Sequence, residues 1–414
     1  MGIRKNIALQ ALTQVTSRGL GFLFFLIAAR LLGAEDFGLF SFALGVGALL
    51  AVLMDFGMDT LLVKWSARGQ AEVVVASFHG RTTLSIGVCL LFIAFVLAFI
   101  QSNQLLLCLV AIYFALLINI QTHTACFRGI EKMHLESWVM ILQKAAALLF
   151  VLLALRLANR PVSAALSLVL SASLGLAAAR LAVQRHKLQP LLASYGSESC
   201  RNLRIHLTSI LRESLPLLLV VVGWNIYFRI DIVMLKAYVT NEQIGYYSAA
   251  YKIMEGIGIF PSILLAALFP ALSRRSIQAP AEARRLFVKA LTLLAPAALL
   301  LCGTFYALAD FFLVIIYGRE YAPAVPLFRI LIWAILAIFP GYLVTQSLIA
   351  YDKNIHYSVI TLLAAALNIA LNLLLIPRFG ACGAAWATVA TEVFVSILCL
   401  TVMANIFFAK ARWR

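Results

Sequence analysis

Four charged residues stand inside the two long apolar segments of the stretch Glu213 to Pro270, namely Arg229, Asp231, Lys252 and Glu255. A charge at the centre of a membrane span costs about 2.5–3.5 kcal/mol on insertion scales, so four unpaired charges in one hairpin would cost roughly 10 kcal/mol or more. That cost is tolerable only where the charges pair with one another or line a wet cavity. The pattern predicts a membrane protein with a charged interior, whose function depends on what that interior binds.

Polar residues also surround the cations of the first and seventh apolar segments. Gln14 and Arg18 are four residues apart and therefore share one helix face. Asn225 and Tyr227 lie close to Arg229 in the seventh segment. We interpret these residues as lining a cavity, and the alternative for Arg18 is a structural ion pair.

The carboxylates near these cations have two readings. Lys252 and Glu255 are three residues apart and share a face, so they either line the cavity or neutralise each other in a salt bridge. Asp231 follows Arg229 by two residues and points elsewhere on the helix. We expect it to pair with Lys252 or Arg18, or to carry a coupling ion.

Two further pairs of polar residues are spaced four apart on other segments. Asp55 and Asp59 could carry protons or sodium ions for coupling, and the alternative is a solvated helix end that pairs with Lys64. Asn368 and Asn372 are expected to form hydrogen bonds to a neighbouring helix.

The composition excludes a soluble globular protein. Of the 414 residues, 63% are hydrophobic and 12% are charged, whereas soluble domains are about 45–50% apolar and about 25% charged. A transmembrane barrel would alternate apolar and polar residues instead of carrying long apolar runs. The formal net charge of +16 fits basic residues retained on cytoplasmic links better than a nucleic-acid partner.

Runs of about 20 mainly apolar residues predict about twelve membrane spans. The predicted spans are 8–31, 38–60, 82–101, 104–126, 138–157, 162–183, 213–236, 243–270, 287–316, 324–350, 355–376 and 381–408. The seven Cys residues are scattered, and no nucleotide-binding loop or metal-ligand motif occurs. We therefore expect no catalytic residues, no metal site, no cofactor and no direct use of ATP.

The distribution of basic residues predicts the orientation. With twelve spans both termini lie on one side, and the links on that side hold most of the 33 Lys and Arg residues. The positive-inside rule then places both termini in the cytoplasm. We interpret residues 185–212, within the longest polar segment, as a cytoplasmic linker between an N-terminal six-helix bundle, residues 1–184, and a C-terminal six-helix bundle, residues 213–414.

The link after the first predicted span and the link after the seventh have similar sequences. EDFGLFS at 35–41 aligns with EQIGYYS at 242–248, and 242 − 35 gives an offset of 207 residues, half the chain. Because each half has six spans, both halves insert the same way up. The pattern predicts a parallel repeat around an axis along the membrane normal, and substrate sites in such transporters lie between the halves.

Several longer stretches resemble one known family. They are AARLLGAEDFGLFSFALG, DFGMDTLLVK, IGYYSAAYKIMEGIGIFPSILLAALFPALSR, GREYAPAVPLFRIL and NLLLIPRFGACGAAWAT, in this order along the chain. They are similar to the polysaccharide transporters of the multidrug, oligosaccharidyl-lipid and polysaccharide exporter superfamily. The resemblance implies an all-α polytopic fold of two six-helix bundles that form a V around a central cavity, lined mainly by the first, second, seventh and eighth spans.

The resemblance, which is nearest to O-antigen and exopolysaccharide flippases, also implies a function in polysaccharide biosynthesis. Such a flippase moves an undecaprenyl-diphosphate-linked oligosaccharide from the cytoplasmic to the periplasmic leaflet of the bacterial inner membrane, in contact with membrane lipids and, as a candidate partner, a polysaccharide polymerase. Its cationic lumen would hold the diphosphate, because guanidinium donors match phosphate oxygens. The predicted substrate-binding residues are Arg18, Arg229, Lys252, Gln14, Asn225 and Tyr227, and the ion-coupling or charge-pairing residues are Asp55, Asp59, Asp231 and Glu255.

Three other functions compete with this one. Flipping of the peptidoglycan precursor uses the same physics, but it resembles a sister family with extra spans, which this length does not accommodate. A cation-coupled multidrug exporter of the same superfamily needs acidic groups that face cationic drugs, whereas the central spans carry Arg18, Arg229 and Lys252. A membrane-embedded glycosyltransferase needs catalytic residues on large periplasmic loops, and the predicted loops on that side are short. We therefore expect a transporter rather than an enzyme, driven by an ion gradient or by the substrate gradient.

Overall fold

All regular secondary structure in the described residues is helical. The computed structural model describes residues 3–158, 160–186 and 197–409, and these ranges contain no strand. The first α-helices are α1 (Ile3–Asp55), α2 (Met58–Ala67), α3 (Ala71–Phe99), α4 (Gln104–Gly129), α5 (Met133–Leu157) and α6 (Pro161–Arg185). They are followed by α7 (Ser197–Leu235), α8 (Asn241–Ile257), α9 (Ile259–Gln278), α10 (Pro280–Ala307), α11 (Ala309–Tyr317), α12 (Val325–Leu331), α13 (Ile335–Ala350), α14 (Asn354–Phe379) and α15 (Ala381–Ala409), with 3₁₀ helices at Arg319–Ala324 and Ile332–Ala334.

The long apolar runs account for this architecture. Ten helical segments of the described chain are long and apolar enough to cross a membrane. One of them, Leu12–Asp55, has 44 residues and would measure about 66 Å if straight, roughly twice the hydrocarbon thickness. Gly33, with φ 76° and ψ 173°, breaks this segment into two. The twelve predicted spans all fall on helices, and the all-helical membrane fold is confirmed.

Several predicted boundaries were wrong because helices continue beyond their apolar cores. α3 begins at Ala71 and α5 at Met133, whereas the apolar runs begin at 82 and 138. The predicted polar segment before residue 212 is partly helical, since α7 begins at Ser197; residues 187–196 of the predicted linker lie outside the described residues. The predicted span 243–270 consists of two shorter helices, α8 and α9, which meet at Gly258.

The chain forms two compact units. The first comprises Met1–Leu32 and Leu39–Asn225, and the second comprises Gly33–Gly38 and Ile226–Arg414. The division therefore falls inside α7, and not at the polar segment 185–212. Apolar residues of α1, α3 and α4 form a core in the first unit, and residues of α7 and α14 form one in the second.

The sequence repeat corresponds to a reciprocal contact inside the second unit. A Cβ atom on Gly38 would overlap the backbone of Asn241, and a Cβ atom on Gly245 would overlap the backbone of Ala34. Both 241 − 34 and 245 − 38 equal 207, so the two halves of the contact are related by the repeat offset. Only glycine permits such a close backbone approach, which explains its presence in both motifs.

Candidate functional site

Two cations of the second unit share one carboxylate. Lys252 Nζ lies 2.5 Å from Glu255 Oε2, and Arg229 Nη2 lies 4.0 Å from Glu255 Oε1. The side chains of Arg229 and Glu255 are 31% and 47% exposed, and that of Lys252 is 13% exposed. The formal charges of these three groups sum to +1. The predicted common face of Lys252 and Glu255 is thus a salt bridge that also takes in Arg229, whose side chain is partly exposed. We call these three residues the cation cluster.

Asp231 lies in a cage of neutral donors. Its Oδ2 accepts hydrogen bonds from the Tyr247 hydroxyl and the Thr388 hydroxyl, both at 2.9 Å, and its Oδ1 accepts one from Asn372 Nδ2 at 2.6 Å. Asn372 Nδ2 also donates to Asn368 Oδ1 at 3.0 Å. The side chain is 2% exposed. These donors come from α8, α14 and α15 and connect these three helices to α7, which carries Asp231.

This cage corrects the predicted partners of Asp231. We expected an ion pair with Lys252 or Arg18, and no ion pair of Asp231 is found among the described residues. Because Asp231 follows Arg229 by two residues, it lies on another face of α7 and points toward α14 and α15 rather than toward the cation cluster. The expected hydrogen bond from Asn372 to a neighbouring helix is confirmed.

Glu392 is a buried carboxylate that the sequence analysis missed. It lies on α15, one helical turn after Thr388, and is 8% exposed. The Tyr227 hydroxyl faces it from α7. Tyr227 was predicted to bind substrate, but its side chain is also only 8% exposed, so it belongs to this buried pair. The neighbouring Asn225 is half-buried, and its Nδ2 donates to the Val221 carbonyl at 2.9 Å.

Gln14 and Arg18 form an exposed stripe on α1 in the first unit. Thr13 and Ser17, which directly precede Gln14 and Arg18, are buried, and the Thr13 hydroxyl donates to Ser137 Oγ at 2.6 Å. Packing therefore fixes which face of α1 carries the stripe. Within the described residues Arg18 forms no ion pair, and its guanidinium remains available to an anionic ligand.

Asp55 and Asp59 belong to a separate charged cluster in the first unit. Arg81, which is fully buried, forms ion pairs with Asp55 and, at 3.4 Å, with Asp59. Arg128 Nη2 lies 2.9 Å from Asp59 Oδ2, and its Nε lies 3.2 Å from Glu136 Oε1. The five residues tie together the end of α1, α2, α3, the end of α4 and the start of α5. This arrangement is suited to holding helices together.

The predicted pairing of these aspartates with Lys64 was wrong. Lys64 Nζ lies 2.9 Å from Glu213 Oε2 instead, and both side chains are more than 40% exposed. Asp55 and Asp59 lie on either side of a break in the helix at Phe56 and Gly57, both of which have positive φ. In the described residues no three His, Cys, Asp or Glu side chains lie close enough together to hold a metal ion.

Comparisons with known proteins identify the family and the fold of this chain. The model of the family described as polysaccharide biosynthesis protein matches residues 3–276. An uncharacterized membrane protein, MJ1375, of Methanocaldococcus jannaschii is 24% identical and covers 96% of this chain and 97% of its own length. Two solved structures, each 13% identical to this chain, share its fold. The lipid II flippase MurJ in an inward closed conformation has a TM-score of 0.76, and the match covers 95% of this chain and 87% of MurJ. An inward-facing multidrug resistance MATE family transporter of the MOP superfamily has a TM-score of 0.74, and the match covers 95% of this chain and 96% of the transporter.

Proposed function

Because the chain belongs to the polysaccharide biosynthesis protein family, we propose that it is a flippase for an undecaprenyl-diphosphate-linked oligosaccharide repeat unit, such as one of O-antigen or exopolysaccharide. It moves this lipid from the cytoplasmic to the periplasmic leaflet by alternating access. The observation that carries the proposal is the cation cluster, in which two cations, Arg229 and Lys252, lie beside the carboxylate of Glu255 and the Arg229 side chain is 31% exposed. A half-exposed positive charge on an apolar helix is costly and calls for an anionic ligand.

The chemistry of the headgroup explains why cations are needed. The polyprenyl tail can stay in lipid, but the diphosphate must pass the hydrocarbon layer. Guanidinium groups bind phosphate through two parallel N–H donors and stay charged at any physiological pH. Arg229 is the principal phosphate ligand in this proposal, and Lys252 adds a second positive charge. Gln14 and Arg18, which are exposed on α1 of the first unit, are proposed separately as substrate-binding residues.

Asp231 is the candidate for ion coupling. Its carboxylate is buried and has three hydrogen-bond donors within 2.9 Å, two of which are the hydroxyl oxygens of Tyr247 and Thr388. Hard oxygen ligands suit a small cation, and a proton could bind the same carboxylate. We propose that a proton or a sodium ion binds here and drives the transport cycle.

The cation cluster argues against the function of a multidrug exporter. A site for cationic drugs needs an accessible carboxylate without neighbouring cations, and the exposed carboxylate Glu255 has two cationic neighbours. The similarity to a MATE transporter is a similarity of fold at 13% identity and does not assign a substrate.

A leaflet-resolved measurement of the lipid-linked glycan in a deletion strain tests the proposal. We expect the glycan to accumulate on the cytoplasmic face and the chain to restore its export. Arg18→Ala and Arg229→Ala should each lower export about tenfold or more, because a hydrogen bond to a charged group contributes about 1.5–3 kcal/mol. Lys at either position should restore it in part.

Arg156→Ala is the matched control, since Arg156 is an exposed cation in the last turn of α5. Unchanged glycan together with new drug sensitivity in the deletion strain would support the exporter instead. Full export by both the Arg18→Ala and Arg229→Ala variants would remove these residues from the site.

The coarser setting is established: the chain is a multi-pass membrane protein with ten long apolar helical segments among its described residues. We extend the proposal to the bacterial inner membrane with both termini in the cytoplasm, and to a polysaccharide polymerase as partner.

Single cysteines introduced at Gly69 and at Ser102 test the orientation, because these two residues lie on links that are predicted to face opposite sides of the membrane. An impermeant thiol reagent added from the periplasm should label only the second.

A further inference from the structure

Glu392 is a carboxylate in an apolar helix, and none of the described residues places a cation beside it. It lies in the apolar segment Ala381–Phe407, which is long enough to cross the membrane. Its side chain is 8% exposed, and it forms no ion pair within the part of the chain that the structure describes. An ionised carboxylate taken out of water is costly unless it is paired or well hydrogen-bonded.

The surroundings of Glu392 differ sharply from those of Asp231. The two carboxylates belong to neighbouring side-chain contacts between α7 and α15. Asp231 on α7 contacts Thr388 on α15, and one helical turn away Tyr227 on α7 faces Glu392 on α15. Asp231 accepts hydrogen bonds from three side chains, which can hold the ionised form. Among the residues that the structure describes, Glu392 has only the hydroxyl of Tyr227 beside it as a side-chain donor.

The groups that face Glu392 from the other helices are neutral. They are Tyr227 on α7, Tyr251 on α8 and Tyr357 on α14. Tyr251 is 5% exposed and also lies near Glu255 and Arg229 of the cation cluster. Tyr251 therefore lies within electrostatic reach of both the buried carboxylate of Glu392 and the carboxylate of Glu255, which is 47% exposed.

We propose that Glu392 is a proton-binding site, which holds a proton while Asp231 is ionised and exchanges it with bulk water past Tyr251 and Glu255. Two carboxylates whose surroundings favour opposite protonation states can divide the tasks of proton and cation binding. The inference that Glu392 is protonated rests on its burial and on the single side-chain donor beside it. Its part in coupling rests on the proposed flippase function, with the proton moving against the cargo or with it.

Infrared difference spectroscopy on the purified full chain in lipid tests the proton site directly. The wild-type protein at neutral pH should show the carbonyl band of a protonated carboxylic acid, and Glu392→Gln should remove it. Asp231→Asn should retain the band. Tyr227→Phe should shift its frequency, because the facing hydroxyl is lost. Glu282→Gln, on a carboxylate that is 59% exposed, is the control that should leave the spectrum unchanged.

The outcome does not depend on the cargo. If Glu392→Gln folds, as judged by circular dichroism and size-exclusion chromatography, and leaves the band intact, Glu392 is ionised and the proposal fails. If Glu392→Gln does not fold, a frequency shift in Tyr227→Phe supports the proposal, and an unshifted band overturns it. Should flipping of a lipid-linked diphosphate fail while the band behaves as expected, the flippase function is wrong and the proton site stands.

Discussion

Gly38 and Gly245 each lie against the backbone of the residue that stands four positions before the other glycine. The partners are Asn241 for Gly38 and Ala34 for Gly245, and both pairs belong to the second unit. Ala34 is held further by its backbone N–H, which donates to Glu320 Oε1 at 2.8 Å. The contact therefore joins the short segment Gly33–Gly38 to the start of α8 by backbone packing, in the small-residue pattern typical of membrane helices.

We expect Gly38→Ala and Gly245→Ala to destabilise the protein by about 1–3 kcal/mol each, as overpacking does. A methyl group at either position would collide with backbone atoms, which cannot move aside like a flexible side chain. Thermal unfolding in detergent measures the effect. Gly303→Ala is the control, because nothing lies within 4 Å of its added carbon, and it should be neutral or slightly stabilising.

Arg81→Ala should destabilise the first unit by about 3–5 kcal/mol, because it leaves two buried or partly buried aspartates without their shared cation. Lys64→Ala should cost less than about 1 kcal/mol, since the pair with Glu213 is exposed. The comparison of unfolding midpoints for the two variants checks the prediction. Equal effects would contradict a structural role for the Arg81 cluster.

Asp231→Asn should abolish the dependence of transport on an ion gradient. The amide keeps the size of the side chain but removes the negative charge that a proton or sodium ion would neutralise. Transport assayed with an imposed pH gradient and with an imposed sodium gradient identifies which ion couples. Thr388→Val, which removes one donor at 2.9 Å, should weaken the response only in part. Full gradient dependence in Asp231→Asn would exclude Asp231 as the coupling site.

Glu255→Gln should strengthen binding of an undecaprenyl diphosphate that carries no sugar. The substitution raises the formal charge of the cation cluster from +1 to +2, as it removes the carboxylate that Arg229 and Lys252 share. The gain should shrink at high salt, because the group is partly exposed and screened. Equilibrium binding at two ionic strengths checks this, and weaker binding at both would show that Glu255 positions the cations instead.

The sequence predicted the features that repeat or extend over many residues. Apolar runs located the spans, and the offset of 207 residues located the reciprocal glycine contact. Helical spacing predicted that Lys252 and Glu255 share a face, and in the structure the two residues form a salt bridge.

Features that depend on contacts between distant helices were missed. Arg81 and Glu136 fall before the apolar runs that define their spans, so they were assigned to links, whereas α3 and α5 begin earlier and bury both side chains. Glu392 stands alone in its apolar run, and only packing brings Tyr227 against it. For Asp231, spacing excluded the face of Arg229 but could not identify Tyr247, Asn372 and Thr388 as its donors.

Flipping in proteoliposomes tests the central claim most directly. The purified chain is reconstituted with a short lipid-linked oligosaccharide on a polyprenyl diphosphate, and the fraction accessible from outside is followed over time beside the same glycan on a phosphate-free lipid. We predict fast flipping of the diphosphate lipid, slow flipping of the phosphate-free lipid, and loss of the difference in Arg229→Ala. Equal rates for both lipids with the wild-type chain would contradict a cation cluster that recognises phosphate.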